Sequence, residues 1–141
     1  MNARGYSLLE VMIVLAIAAV VMLAAAPAIS STVERMTLRS DVRSVTTELR
    51  RLRDAALDRQ ADVILTVGGN GALVASDGTI IPLAAGTVVQ IVPASAATKP
   101  ARLVIAWNGA ISGGLRLARG QSVASIAAEP LTGRLLTQGE R

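Results

Sequence analysis

From Val11 to Val33 the chain carries no charge, and the residue just before that run is a glutamate, Glu10. As a helix rising ~1.5 Å per residue, such a run is long enough to cross a hydrocarbon core of ~30 Å. A carboxylate at that depth costs several kcal/mol, so one that is kept there usually has a task. The stretch from Met1 to Ile29 therefore constrains everything after it. The rest of the chain has to suit a long apolar helix with one acid near its start.

Of 141 residues, about 110 lie beyond that stretch, which is enough for one small domain. The chain has no cysteine and no histidine. Disulfides, thiolate chemistry, Ser-His-Asp catalysis and His-containing zinc sites are thereby excluded. No motif points to a cofactor or a metal, and the sequence does not read as an enzyme. The only aromatic residues are Tyr6 and Trp107, too few to stack bases, so a nucleic-acid partner is not expected. The net charge of +4 divides evenly. Residues 33–60 hold seven Arg against five acids, and 61–141 hold six Lys/Arg against four. Both signs are interspersed, as on an ordinary solvated surface.

A secretory signal peptide has an apolar core of about 7–15 residues and a small-residue cleavage site. The run here is too long, and Pro27 interrupts the alanines that could mimic such a site. A plain membrane anchor fits the length but gives Glu10 no role. The junction Gly5-Tyr6-Ser7-Leu8-Leu9-Glu10 offers a third reading. Gly5 has no side chain, so an enzyme can approach its carbonyl closely. Cleavage after it would create a positive amine at Tyr6, and Glu10 lies four residues on, one helical turn away. An acid there also suits the positive end of the helix dipole. Between neighbouring helices, the Glu10 carboxylate could pair with the Tyr6 amine of another subunit and remove two charges from an apolar setting together.

A short basic leader ending in Gly, an aromatic residue, Glu five residues after the Gly and about twenty apolar residues resemble the class III signal of type IV pilins and type II secretion pseudopilins. The resemblance implies cleavage between Gly5 and Tyr6 by a prepilin peptidase and N-methylation of Tyr6. Most members carry Phe where this chain has Tyr6. Pro27 matches a helix-kinking proline common in these stems. Arg4 before the span argues for a cytoplasmic N-terminus, whereas Arg35, Arg39 and Arg43 follow it. The resemblance implies an N-terminus inside, a single pass through the inner membrane and a periplasmic head.

Leu38, Val42, Val45, Leu49, Leu52 and Ala56 are spaced 4, 3, 4, 3, 4, which predicts one apolar stripe on a helix. No proline occurs between 28 and 81. One helix is expected from Ser7 to Asp58, bent at Pro27 by the lost hydrogen bond. From Ala61 the signals turn to strands. Val63–Val67 and Thr87–Val92 are β-branched runs, and Asp77-Gly78 and Asn108-Gly109 are turn pairs. Further strands are expected at Ala72–Ala75, Thr79–Ile81, Arg102–Trp107 and Leu115–Ala118, with Ser122–Ala128 and Gly133–Thr137 as a closing pair. Residues 93–100 form a proline-bounded loop. The fold class is α+β, with a long N-terminal helix packed on a small antiparallel head. Its parts are a leader (1–5), a transmembrane or filament-core helix (6–29), an amphipathic helix (30–60) and a β-rich head (61–141).

Three head segments narrow the resemblance. Leu52-Arg53-Asp54-Ala55-Ala56-Leu57 precedes the first strand, Trp107-Asn108-Gly109 follows another, and Thr132-Gly133-Arg134 lies near the end. Together they resemble the GspH/FimT branch of minor pseudopilins and pilins. That implies a minor pseudopilin of a type II secretion system, placed at or near the tip of a periplasmic pseudopilus. Its partners would be prepilin peptidase, other pseudopilin subunits, the inner-membrane secretion platform and secreted substrates. The alternative is a FimT-like minor type IV pilin that contacts DNA, in which Lys99, Arg102, Arg116, Arg119, Arg134 and Arg141 would have to converge. Gly68-Gly69-Asn70-Gly71 lacks the Lys-Ser/Thr pair and helix of a phosphate loop and reads as a turn. Trp107 is expected to be partly in the core.

Overall fold

The computed structural model describes residues 7–93, 102–129 and 132–140, and for 24–28 and 140 the backbone alone. The chain divides into two compact units, Met1–Val33 and Glu34–Arg141. A single helix, α1, spans Leu8–Arg59. The expected boundaries thus hold to within one residue at each end. The helix is assigned without a break through position 27. The bend expected at Pro27 falls on a side chain outside the described residues.

In the second unit the expected stripe is buried. Leu38, Val45, Leu49, Leu52 and Ala56 are core residues, and Val42 packs against them. Among the described residues nine strands follow: β1 Val63–Val67, β2 Leu73–Ala75, β3 Ile80–Ile81, β4 Val88–Val92, β5 Leu103–Ile105, β6 Ile111–Ser112, β7 Gly114–Arg119, β8 Ser122–Ala128 and β9 Leu135–Glu140. They form two antiparallel sheets, ordered β3-β2-β1-β5-β6 and β4-β7-β8-β9. One core joins the helix stripe to Leu65, Leu73, Leu103 and Ile105 of the first sheet and to Ile91, Leu115, Leu117 and Ile126 of the second. The α+β expectation therefore holds for the head.

Strand periodicity accounts for most of these elements. β4 alternates exposed and buried, with Val89 and Ile91 inward and Val88, Gln90 and Val92 outward. In β7, Leu115 and Leu117 are the inward pair. β6 was not expected, because two residues are too few to show a period. The loop expected at 93–100 lies outside the described residues beyond Pro93. Trp107 departs from expectation. It is 57% exposed in the turn after β5, held through its backbone N–H, which donates to Asp62 Oδ1 at 2.8 Å. β5 ends at Ile105, two residues before the expected end, so Trp107 falls in the exposed turn.

Candidate functional site

The first unit begins with a capped helix. Ser7 precedes α1, its Oγ accepts the Leu9 N–H at 3.2 Å, and its carbonyl accepts the N–H of Glu10 at 2.9 Å. This satisfies donors that a helix start leaves without partners. Glu10 falls in the first turn, where its charge complements the dipole, and it is exposed in the single chain. Gly5 and Tyr6 lie outside the described residues.

From Leu8, 78% exposed, to Leu23, 82% exposed, nearly every large side chain of this unit is open in the single chain. Burial of apolar surface is worth about 25 cal/mol per Å², so a surface of this kind calls for a covering medium, lipid or other helices. Among the described residues, no helix is long and apolar enough to cross a membrane. Positions 24–28, inside the expected span, have no described side chains.

In the second unit the three head segments singled out in the sequence meet at one side chain. Arg53 Nε donates to the Gly109 carbonyl at 3.0 Å, and its Nη2 donates to the Thr132 carbonyl at 2.9 Å. The guanidinium thus ties α1 to the β5–β6 turn and to the β8–β9 connection. Gly133 has φ +64° and is buried, and a Cβ there would collide with the Gly109 carbonyl oxygen. Only glycine combines that φ with so close an approach. The connection is also closed locally. Gly133 N–H donates to the Glu129 carbonyl at 2.8 Å, and Thr132 Oγ1 donates to Glu129 Oε2 at 2.7 Å.

Arg53→Ala is expected to lower the unfolding free energy of the full chain by about 2–3 kcal/mol, given that hydrogen bonds from charged donors contribute about 1.5–3 kcal/mol each and these are partly exposed. Denaturant midpoints measured in detergent check this. Arg53→Lys should recover only part of the loss, because one ammonium lacks the planar fork that reaches both carbonyls.

A second junction was not legible as such. Asp41 is only 8% exposed. Its Oδ2 accepts the Thr87 hydroxyl at 2.6 Å and its Oδ1 accepts the Ala84 N–H at 3.3 Å. Thr87 Oγ1 in turn accepts Arg119 Nη1 at 3.2 Å, and the same Nη1 donates to the Ala85 carbonyl at 2.7 Å. This chain of contacts fastens α1 to the entry of β4 and the end of β7. The signal was present: Asp41 sits three residues after Leu38 and four before Val45, on the apolar stripe itself.

Of the six cations named for DNA contact, Arg119 is engaged in that junction, Arg102, Arg116 and Arg134 are exposed, and Lys99 and Arg141 lie outside the described residues. Among the described residues no three His, Cys, Asp or Glu side chains gather as a metal site requires. Gly68–Gly71 is a turn, closed by Gly71 N–H donating to the Gly68 carbonyl at 2.9 Å.

At the Asp77-Gly78 turn, the Thr79 N–H donates to Asp77 Oδ1 at 2.9 Å. The backbone and then the side chain of Thr79 hold the Asp77 carboxyl below its ordinary pKa. A carboxyl with a lowered folded pKa adds stability above its unfolded pKa, near 4, and loses it as pH falls through the folded value. The Asp77 carboxyl resonance should titrate below that of an unfolded reference peptide. Asp77→Asn should remove the acid dependence of the turn.

Residues 1–26 match the family described as the prokaryotic N-terminal methylation motif. The match supports a type IV pilin-like or pseudopilin family. It implies processing by prepilin peptidase, a membrane-anchored N-terminus and assembly with other pilin subunits. No curated protein and no solved structure matches the chain.

Proposed function

We propose that the chain is a GspH/FimT-like minor pseudopilin of a type II secretion system. Prepilin peptidase cuts it between Gly5 and Tyr6 and methylates Tyr6. The N-terminus is cytoplasmic, the apolar half of α1 is held in the inner membrane, and the head is periplasmic. Assembly then moves the helix from lipid into the packed stems of a periplasmic pseudopilus, at or near its tip, where Glu10 pairs with a neighbour's Tyr6 amine. Its work is mechanical, through contact with other subunits, the secretion platform and secreted proteins, not catalytic.

The match over residues 1–26 carries this reading. The finer assignment is supported by Arg53, which joins the Leu52–Leu57 segment to Gly109 and Thr132, the three places where the head resembles that branch. A FimT-like minor type IV pilin acting in pilus assembly or DNA uptake is the second reading, favoured by exposed Arg116 and Arg134. Deletion of the chain, scored together for exoprotein secretion, pilus motility and DNA uptake, separates the two. Loss of secretion alone is the expected result. Loss of DNA uptake with secretion intact would replace the first reading with the second.

A further inference from the structure

Among the described residues, the head repeats one hairpin turn at 68–72, 75–79 and 106–110, each with Asn or Asp followed by glycine. In each turn the first N–H donates to the last carbonyl, at 2.9, 2.9 and 2.8 Å in chain order. The glycine N–H donates to the first carbonyl, at 2.9, 3.0 and 2.8 Å. The last N–H donates to Oδ1 of Asn70, Asp77 and Asn108, at 3.2, 2.9 and 3.1 Å. Gly71, Gly78 and Gly109 share a φ of +80°, +89° and +81°.

An asparagine before glycine can close on the following peptide. The glycine nitrogen attacks the side-chain Cγ and gives up its proton. The amide group departs with that proton as ammonia, and a succinimide ring remains. Water then opens the ring at Cγ to give aspartate, or at the backbone carbonyl to give a β-linked aspartate. Glycine spares the attacking nitrogen a neighbouring Cβ. In these turns an N–H is already aimed at Oδ1, the atom that becomes negative during attack, and such a donor lowers the barrier.

The turns differ in their surroundings. Closure swings the glycine peptide out of its turn hydrogen bond, which needs room. A Cβ built on Gly71 or Gly78 meets nothing within 4 Å. Gly109 is buried, and a Cβ there meets Arg53 Nε at 3.1 Å and Leu57 Cδ2 at 3.3 Å. Its carbonyl is also held by Arg53 Nε at 3.0 Å. Releasing a bond from a charged donor slows closure about tenfold or more. Asp77 has the room but not the leaving group. At neutral pH it is a carboxylate with no ammonia to expel, and its hydrogen bonds from Thr79 favour that form.

We infer that Asn70 is a site of spontaneous succinimide formation and hydrolysis, and that Arg53 protects Asn108 from the same reaction. Asn70 is exposed to the water that completes it. The product carries a new carboxylate in the β1–β2 turn. Its β-linked form adds a backbone carbon beside the Val67↔Leu73 pair and disturbs the bonds that close the turn. All the residues involved belong to the second unit, so a failure of the pilin-like reading leaves the reaction untouched.

The test incubates the full chain in detergent micelles at neutral pH and follows positions 70, 77 and 108 by peptide mass mapping. Position 70 should gain the mass of an amide becoming an acid and appear as both α- and β-linked aspartate. Position 108 should convert at least about tenfold more slowly, and position 77 should stay α-linked. In urea strong enough to unfold the chain, positions 70 and 108 should convert at similar rates, because both precede Gly-Ala. Asp77→Asn places an amide in an uncrowded turn and should convert as position 70 does. Arg53→Ala should raise the rate at 108 relative to that at 70.

A stable Asn70, equal rates at 70 and 108 in the folded chain, or a difference that persists in urea overturns the inference. So does a stable amide at position 77 of Asp77→Asn, or a ratio of the two rates that Arg53→Ala leaves unchanged.

Discussion

A Gly5→Val chain expressed in its own host is expected to keep its leader. Peptide hydrolysis needs a catalytic group and a water on one face of the Gly5 carbonyl, and a branched Cβ occupies part of that approach. Catalysis depends on fit to the transition state, so a clash there slows the step even when binding survives. A hundredfold loss corresponds to about 2.7 kcal/mol on the barrier, at 1.36 kcal/mol per tenfold, and a loss of at least that order is expected. Pulse-labelling followed by mass analysis of the membrane fraction checks it. The unprocessed chain should stay in the membrane and fail to enter filaments, because Tyr6 never acquires a free amine. Cleavage of Gly5→Val at the parental rate would move the processing site elsewhere.

Glu10→Val should behave oppositely. The substitution leaves Gly5 and the apolar run intact, so the leader should be removed at close to the parental rate. Incorporation should fall steeply. Removing one partner of a buried ion pair costs about 3–5 kcal/mol, because the remaining charge is left without compensation in an apolar setting. That range corresponds to a loss of about a hundredfold to a few thousandfold in the assembly equilibrium. Glu10→Gln tests whether charge or shape is at issue. Gln keeps the length and an acceptor oxygen but cannot neutralise an amine, so it should rescue little. Crosslinking of the variant into filaments, normalised to membrane-resident protein, measures the effect. Parental incorporation of Glu10→Val would remove the pairing from the account.

Much of the fold was legible because its periods are strong. The 4-3-4-3-4 spacing from Leu38 to Ala56 placed the buried face of α1, and five of those six residues are fully in the core. The β-branched run at Val88–Val92 announced its strand in the same way. What stayed hidden depends on partners distant in sequence. Asp41 stands out on the apolar stripe, but its partners Thr87 and Ala84, more than forty residues away, appear only when the head is folded against it. Arg53 reads as a solvated cation until Gly109 and Thr132 present their carbonyls. Trp107 looked like core because strand patterns do not say where a strand stops. The proposed processing site rests on Gly5 to Glu10 alone, because a peptidase would read that stretch as local sequence.

The most direct measurement is the intact mass of the full-length chain extracted from the membrane of its own host. The account requires the mass of residues 6–141 plus one methyl group, with the methyl located on the Tyr6 amine by fragmentation. A mass that still includes Met1–Gly5, or a free unmethylated N-terminus elsewhere in the apolar run, would contradict it.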